Sequence, residues 1–232
     1  MTGTLIRNIE SETDYAGKYV SSPMVQSRSI EARLSMIFKN EINSEAGVLL
    51  DYNPKVIRKL AMFIAGDIRR SASVGIAGET ASGKSTITLD IIDTIEKFAA
   101  GYNLKHIITR VNTDDYYYDR SQEVKKAGGM AEFAKNYDFD VPEALELDLM
   151  CRHINELLCG NSVMLPKYDM SGTTIRWDNH TLANPSRIII SEGLFTLTDK
   201  IKDVFDFKIY VDIDRNIQKR RFFIRAHERG LG

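Results

Sequence analysis

One eight-residue stretch constrains this chain more than any other. Residues 78–85 read Gly78-Glu79-Thr80-Ala81-Ser82-Gly83-Lys84-Ser85 and satisfy G-x-x-x-x-G-K-[ST]. Residues 73–77 before it are a short apolar run, and residues 85–100 after it carry apolar positions at helical spacing, closed by Gly101. In the order strand, glycine-rich turn, helix, consecutive backbone N–H groups and the positive end of the helix dipole converge on one point, which is an anion nest. Glycine at 78 and 83 lets the backbone turn without a Cβ clash. Residues 78–85 and Thr86 are therefore expected to bind a nucleotide, ATP or GTP, with Lys84 reaching the β- and γ-phosphates and the Ser85 hydroxyl ligating Mg2+.

The same alternation continues downstream. Residues 105–111, 187–190 and 207–211 are rich in β-branched or aromatic side chains and read as strands. Residues 142–158 place Leu145, Leu149, Met150, Ile154, Leu157 and Leu158 at helical spacing, with Gly160 as a cap. Strands alternating with helices predict an α/β fold, a doubly wound parallel sheet of the P-loop kinase type, with ligands beyond the carboxyl ends of the strands.

Upstream, residues 1–20 are polar and read as an arm. Two amphipathic helices are expected at residues 29–43 (Ile30, Leu34, Ile37 and Phe38 on one face) and 54–70 (Val56, Ile57, Leu60, Phe63 and Ile64). The expected division is an arm and helical extension over residues 1–70 and a catalytic domain over 71–232. The helices could cover a sheet face or make a homo-oligomer, and the pattern leaves both open.

Composition removes several functional classes. With 232 residues and 43% apolar content the chain can bury one substantial core. Its net charge of -1, from 31 basic and 32 acidic side chains, provides no global field for nucleic acid or an anionic membrane. No apolar stretch approaches the ~20 residues that cross a bilayer, and no secretory signal pattern opens the chain, so a soluble, cytoplasmic protein is expected. Cys151 and Cys159, eight residues apart in one helix, would lie about 12 Å apart, beyond disulfide reach, and read as reduced, partly buried thiols. His106, His153, His180 and His227 have no metal-ligand spacing.

A phosphate cradle serves GTPases, ATPases and small-molecule kinases alike, so the acidic residues decide. After the second strand comes Asn112-Thr113-Asp114-Asp115-Tyr116-Tyr117-Tyr118-Asp119. A carboxylate there can take a proton from a substrate hydroxyl and help hold the metal beside the γ-phosphate. It could equally be an acidic loop capping a helix.

The order P-loop, DDYYYD, YDFDVPEA, LPKYDM, SEGLF and an arginine-rich helix resembles the uridine kinase and phosphoribulokinase family over residues 73–230. The resemblance implies that Asp114, in the family's D-x-[FY]-Y motif, is the catalytic base, that Tyr117 lies near the substrate, and that Glu192 of the E-G pair supports the metal with Ser85 and Asp114. It implies an acceptor pocket of Tyr117, Phe139, Asp140, Tyr168 and Thr173. Three positions depart from the pattern: Val141 stands where the family has histidine, Thr173 where it has a base-contacting histidine, and Ile175 where it has arginine, with Arg176 one place on. The helix carrying Arg215, Lys219, Arg220, Arg221, Arg225 and Arg229 resembles the family's lid. In it Arg220 and Arg221 match best as catalytic arginines beside Lys84, and Arg225 as a nucleotide ligand. Family members continue with a further helix and strand, so a C-terminal part beyond Gly232 is expected.

These features together predict a Mg2+-dependent kinase moving the γ-phosphoryl group to a small-molecule hydroxyl, of a nucleoside such as uridine or cytidine, or else of pantothenate, a sugar phosphate or another alcohol. The rival from another class is a regulatory P-loop NTPase.

Overall fold

The computed structural model describes residues 5–8, 49–51, 54–66 and 71–228. The helix expected at 29–43 lies outside them. A six-stranded sheet is built from β1 (Leu5–Asn8), β2 (Leu49–Asp51), β3 (Ala72–Gly78), β4 (Ile108–Asn112), β7 (Ile188–Glu192) and β8 (Phe207–Asp212), in the spatial order β2-β1-β8-β3-β7-β4. The strands β8, β3, β7 and β4 run parallel, and β1 pairs antiparallel with β8 and with β2. β5 (Val163–Tyr168) and β6 (Arg176–Ala183) form a separate antiparallel hairpin.

Both faces of the sheet are covered, as a parallel sheet requires. Helix α1 (Pro54–Gly66) and helix α2 (Lys84–Ala100) pack on one face, where Val56, Leu60, Ile64, Ile87, Ile91 and Ile95 meet Val74, Ile76, Ile190 and Ile209. On the other face helix α5 (Leu147–Leu158) buries Met150, Ile154 and Leu157 with Val111, Ile189 and Phe205. Gly75 permits the second packing: a Cβ there would lie 2.6 Å from the Phe205 ring. Two short helices, α3 (Ser121–Ala127) and α4 (Met130–Phe133), follow β4, and α6 (Arg215–Glu228) follows β8. Among the described residues no helix is long and apolar enough to cross a membrane.

Among the described residues the expected strands and the helix after the glycine-rich turn exist with boundaries moved by up to three residues, and the helix expected at 54–70 is described over Pro54–Gly66. Leu5–Asn8, expected in a polar arm, is instead a strand paired with β8, and a second expectation also changes. Residues 142–158 are not a single helix: Pro142–Ala144 is a 3-10 turn, Leu145 is extended, and α5 starts at Leu147. Tertiary pairing takes these residues out of the helix, because Leu145 bridges to Tyr117 and the Glu146 amide donates to the Tyr116 carbonyl at 2.8 Å. Helix α5 ends at left-handed Gly160, with the Asn161 amide returning to the Glu156 carbonyl at 2.9 Å. Cys151 is half-buried but Cys159 is exposed, so the expectation of two partly buried thiols holds for the first alone.

Candidate active site

The phosphate loop joins β3 to α2 at the carboxyl end of the sheet. Its geometry fits a triphosphate. Ala81 (φ 65) and Gly83 (φ 97) both turn left-handed, which points loop amides inward. A Cβ on Gly78 would lie 2.6 Å from the Val211 carbonyl oxygen and 2.7 Å from Ser82 Oγ, so only glycine closes the loop there. Ser82 Oγ is buried and meets no hydrogen-bond partner among the described residues, an unfilled polar position that a phosphate oxygen can satisfy. Lys84 Nζ donates to the Glu79 carbonyl at 3.1 Å across the loop. Glu79 and Thr80 are exposed, and so is Thr86 in the first turn of α2.

The acids arrive from the two strands beyond β3. Asn112 of β4 stands opposite Glu192 of β7, so the chain leaves both strands at one level. Residues Thr113–Tyr116 form a 3-10 turn capped by Asn112 Oδ1, which accepts from the Asp114 amide at 3.4 Å. Close approach locks the turn to β7, because a Cβ on Gly193 would sit 2.5 Å from Thr113 Cβ. Glu192, only 6% exposed, accepts from Ser85 Oγ at 3.0 Å through one oxygen and from Arg110 at 2.6 Å through the other. Serine hydroxyl and carboxylate oxygens are hard donors of the kind that Mg2+ takes, and Ser85, Glu192 and Asp114 are the residues that would hold it. Burial raises the Asp114 carboxyl above the usual aspartate range; Lys84 opposes the rise, and Glu192 and Asp115 add to it. Asp115 turns away and accepts from Lys167 at 2.9 Å and from the Tyr168 amide at 3.2 Å. Adjacent carboxylates thus divide the work, one facing the cradle and one tying down the hairpin.

Beside this centre lies an aromatic cluster. The Tyr117 ring contacts Tyr168 at 5.2 Å and Phe139 at 6.2 Å, Tyr137 meets Phe139 at 4.7 Å, and Phe133 stacks on Tyr137 at 4.8 Å. The Tyr117 hydroxyl donates to the Phe139 carbonyl at 3.2 Å, and burial, with Asp114 and Asp140 nearby, pushes its pKa up. Asp140 itself is exposed. Thr173 stands apart in the β5–β6 turn, exposed, with its hydroxyl bonded to Asp169. Arg176 is committed elsewhere: it donates to Glu146 at 2.9 Å, Asp178 at 2.7 Å and the Tyr117 carbonyl at 3.4 Å.

From α6, Arg221 reaches the phosphate loop and donates to the Ser82 carbonyl at 3.4 Å. Its neighbour Arg220 is exposed. The Arg225 side chain and Arg229 fall outside the described residues. Three residues with evident parts were missed in the sequence. Arg110 precedes Asn112 by two on β4 and so shares its face. Asp115 is masked by its neighbour. Gln218 lies three residues before Arg221 on one helix face and donates to Glu79.

Comparison with known proteins identifies a family. A family model, described as the phosphoribulokinase / uridine kinase family, matches residues 73–231. A uridine kinase of Halobacterium salinarum is 32% identical over 162 residues, which is 69% of this chain and 65% of that protein. One of Clostridium perfringens is 34% identical over 165 residues, 70% of this chain and 72% of that protein. The chain therefore spans less than two thirds of the first relative's length. Among solved structures, a proposed fructose transport system kinase from Silicibacter sp. TM1040 superposes with a TM-score of 0.61 at 18% identity, covering 78% of this chain and 84% of that one. YFH7 from Saccharomyces cerevisiae, proposed as a P-loop kinase with a circular permutation, gives 0.56 at 13% identity over 78% of this chain and 88% of that one. These two likenesses concern the fold.

Proposed function

This chain belongs to the phosphoribulokinase / uridine kinase family, and we propose that it transfers the γ-phosphoryl group of ATP or GTP to a hydroxyl of a small molecule, a nucleoside of the uridine or cytidine type. The observation that carries this reading is the half-buried Asp114, electrostatically coupled to Lys84 and Glu192 and three residues from the aromatic cluster that begins at Tyr117. A hydrolytic switch has no use for a base beside an acceptor site, whereas a transferase needs both.

In this reading Asp114 accepts the acceptor's hydroxyl proton as the oxygen forms a bond to the γ-phosphorus, and the bond from that phosphorus to the β–γ bridging oxygen breaks. The proton ends on Asp114 and the nucleoside diphosphate leaves. Lys84 and the loop amides hold the phosphates, and Arg221 with Arg220 neutralises charge on the transferring group. Ser85, Glu192 and Asp114 would hold Mg2+, which would supply charge neutralisation at the phosphate oxygens. The rings of Tyr117, Phe139 and Tyr168, with Asp140, orient the acceptor. Such an enzyme would work in the cytoplasm.

A second reading of the acceptor is favoured by one observation. Thr173 gives its hydroxyl to Asp169, and Arg176 is consumed by Glu146 and Asp178, so neither offers a ready donor to a pyrimidine edge. Pantothenate, a sugar phosphate or another alcohol would not need that donor. A panel of nucleosides, pantothenate and sugar phosphates, incubated with the protein, ATP and Mg2+ and read by mass spectrometry, tests both. A phosphorylated nucleoside supports the first reading and another phosphorylated alcohol the second. Nucleotide hydrolysis that no acceptor accelerates would sink both in favour of a regulatory NTPase.

A further inference from the structure

Helix α6 is rooted at the end of β8, where the Asp214 carboxylate accepts from the Asn216 amide at 2.9 Å. Beyond that root it has little apolar anchorage, since Phe222, Phe223 and Ile224 are 51%, 69% and 50% exposed. What ties its first turns to the phosphate loop is polar. Gln218 Nε2 donates to Glu79 Oε2 at 2.7 Å and to the Thr80 carbonyl at 3.0 Å, and one turn later Arg221 donates to the Ser82 carbonyl at 3.4 Å. The same Arg221 nitrogen lies 3.2 Å from the position of a Cβ on Gly83. Three loop residues, Glu79, Thr80 and Ser82, are thus held by one face of one helix.

We propose that Gln218 is a positioning residue of the phosphate site, latching α6 to the loop through Glu79 and so holding Arg221 over the cradle before nucleotide arrives. The idea rests on the reading of residues 78–85 as a triphosphate cradle and of α6 as its arginine lid. The Gln218 amide is uncharged and gives its N–H groups to a carboxylate at 2.7 Å and a carbonyl at 3.0 Å, so an incoming phosphate gains less by taking it than by taking the charged Arg221. The latch therefore remains made when the cradle fills. Arg221, by contrast, holds its carbonyl at the long limit of a hydrogen bond and can exchange it for phosphate oxygens, a stronger charge-assisted pairing. Preformed closure spares the nucleotide the cost of ordering a solvent-exposed helix.

The test inverts the pair. Gln218→Glu sets two carboxylates against each other, and adding Glu79→Gln restores a hydrogen bond with the roles exchanged. A hydrogen bond to a charged group is worth about a tenfold change in an equilibrium, so Gln218→Glu should raise KM for ATP, and the Kd of a non-hydrolysable ATP analogue with Mg2+ by calorimetry, by about tenfold, with kcat changing less. Amide hydrogen exchange in α6 should quicken in the single variant, and the double variant should return all three readouts toward the parent. Parental nucleotide affinity and parental α6 exchange in Gln218→Glu, or a double variant no better than the single, would overturn the latch. A parent chain that binds no nucleotide would instead overturn the kinase reading beneath it.

Discussion

Ser85 Oγ donates to Glu192 Oε2 at 3.0 Å across a separation of 107 residues, joining the start of helix α2 to the end of β7. The carboxylate clamped between that hydroxyl and Arg110 is the one that, in the proposed function, would help hold a divalent cation. Glu192→Gln keeps the shape and removes the charge. Calorimetric titration of nucleotide with and without Mg2+ should show the Mg2+-dependent gain in affinity reduced by about tenfold or more. An unchanged gain would remove Glu192 from the metal corner.

Asp114→Asn should lower kcat by about 10²- to 10⁴-fold, the usual contribution of a positioned proton acceptor. Stability moves the other way. The folded protein holds the Asp114 proton more tightly than the unfolded chain does, because burial disfavours the carboxylate and Glu192 and Asp115 repel it against the pull of Lys84. Ionisation thus costs stability above the raised folded value, and no cost remains below the ordinary 3.8. Asp114→Asn should raise Tm at pH 7, with the advantage vanishing as pH falls below that range. The acid limb of kcat/KM should likewise lie above 3.8.

Arg176, 10% exposed at its side chain, binds Glu146 and Asp178 and the carbonyl of Tyr117. Arg176→Ala strands Glu146 and should cost about 3 kcal/mol in denaturant unfolding. Combined with Glu146→Ala the loss should be less than additive. Arg176→Lys should recover little, since a single ammonium cannot replace a fork with three partners.

The cysteines should separate cleanly with a thiol reagent. Cys159 is exposed, while Cys151 is half-buried, and burial pushes its thiol pKa up. Peptide mapping after brief alkylation at pH 8 should find Cys159 modified first. Equal rates would place Cys151 in a looser α5 than its packing indicates.

Much of this was legible in the chain because the signals were local. Strand, G-x-x-x-x-G-K-S loop and helix are contiguous, and apolar period alone sets β3, α2 and β7. Asp114 and Glu192 could be nominated because each stands at a strand end in a motif that resembles the family's. The β5–β6 hairpin was not read, since Pro166 falls at its register shift and β6 carries Asp178, Asn179 and His180, poor strand formers. The late start of α5 was hidden for a different reason: the Leu145–Tyr117 bridge is a contact between segments, and helical periodicity contains no record of it. Arg110 and Gln218 were silent because their partners lie 82 and 139 residues away.

Helix α1 sits wholly upstream of residue 73, where the family match begins. Yet Val56, Ile57, Leu60, Ala61, Phe63 and Ile64 are buried in the same core cluster as the strand that launches the phosphate loop, and Phe63 meets Phe207 edge-on at 5.7 Å. Heredity and cohesion therefore draw different borders on this protein: the stretch that carries the family's chemistry is shorter than the stretch that must fold together to hold it. An expression fragment cut at the homology limit would uncover the part of this cluster that α1 packs against and should aggregate, whereas one retaining residues 54–66 keeps that face sealed.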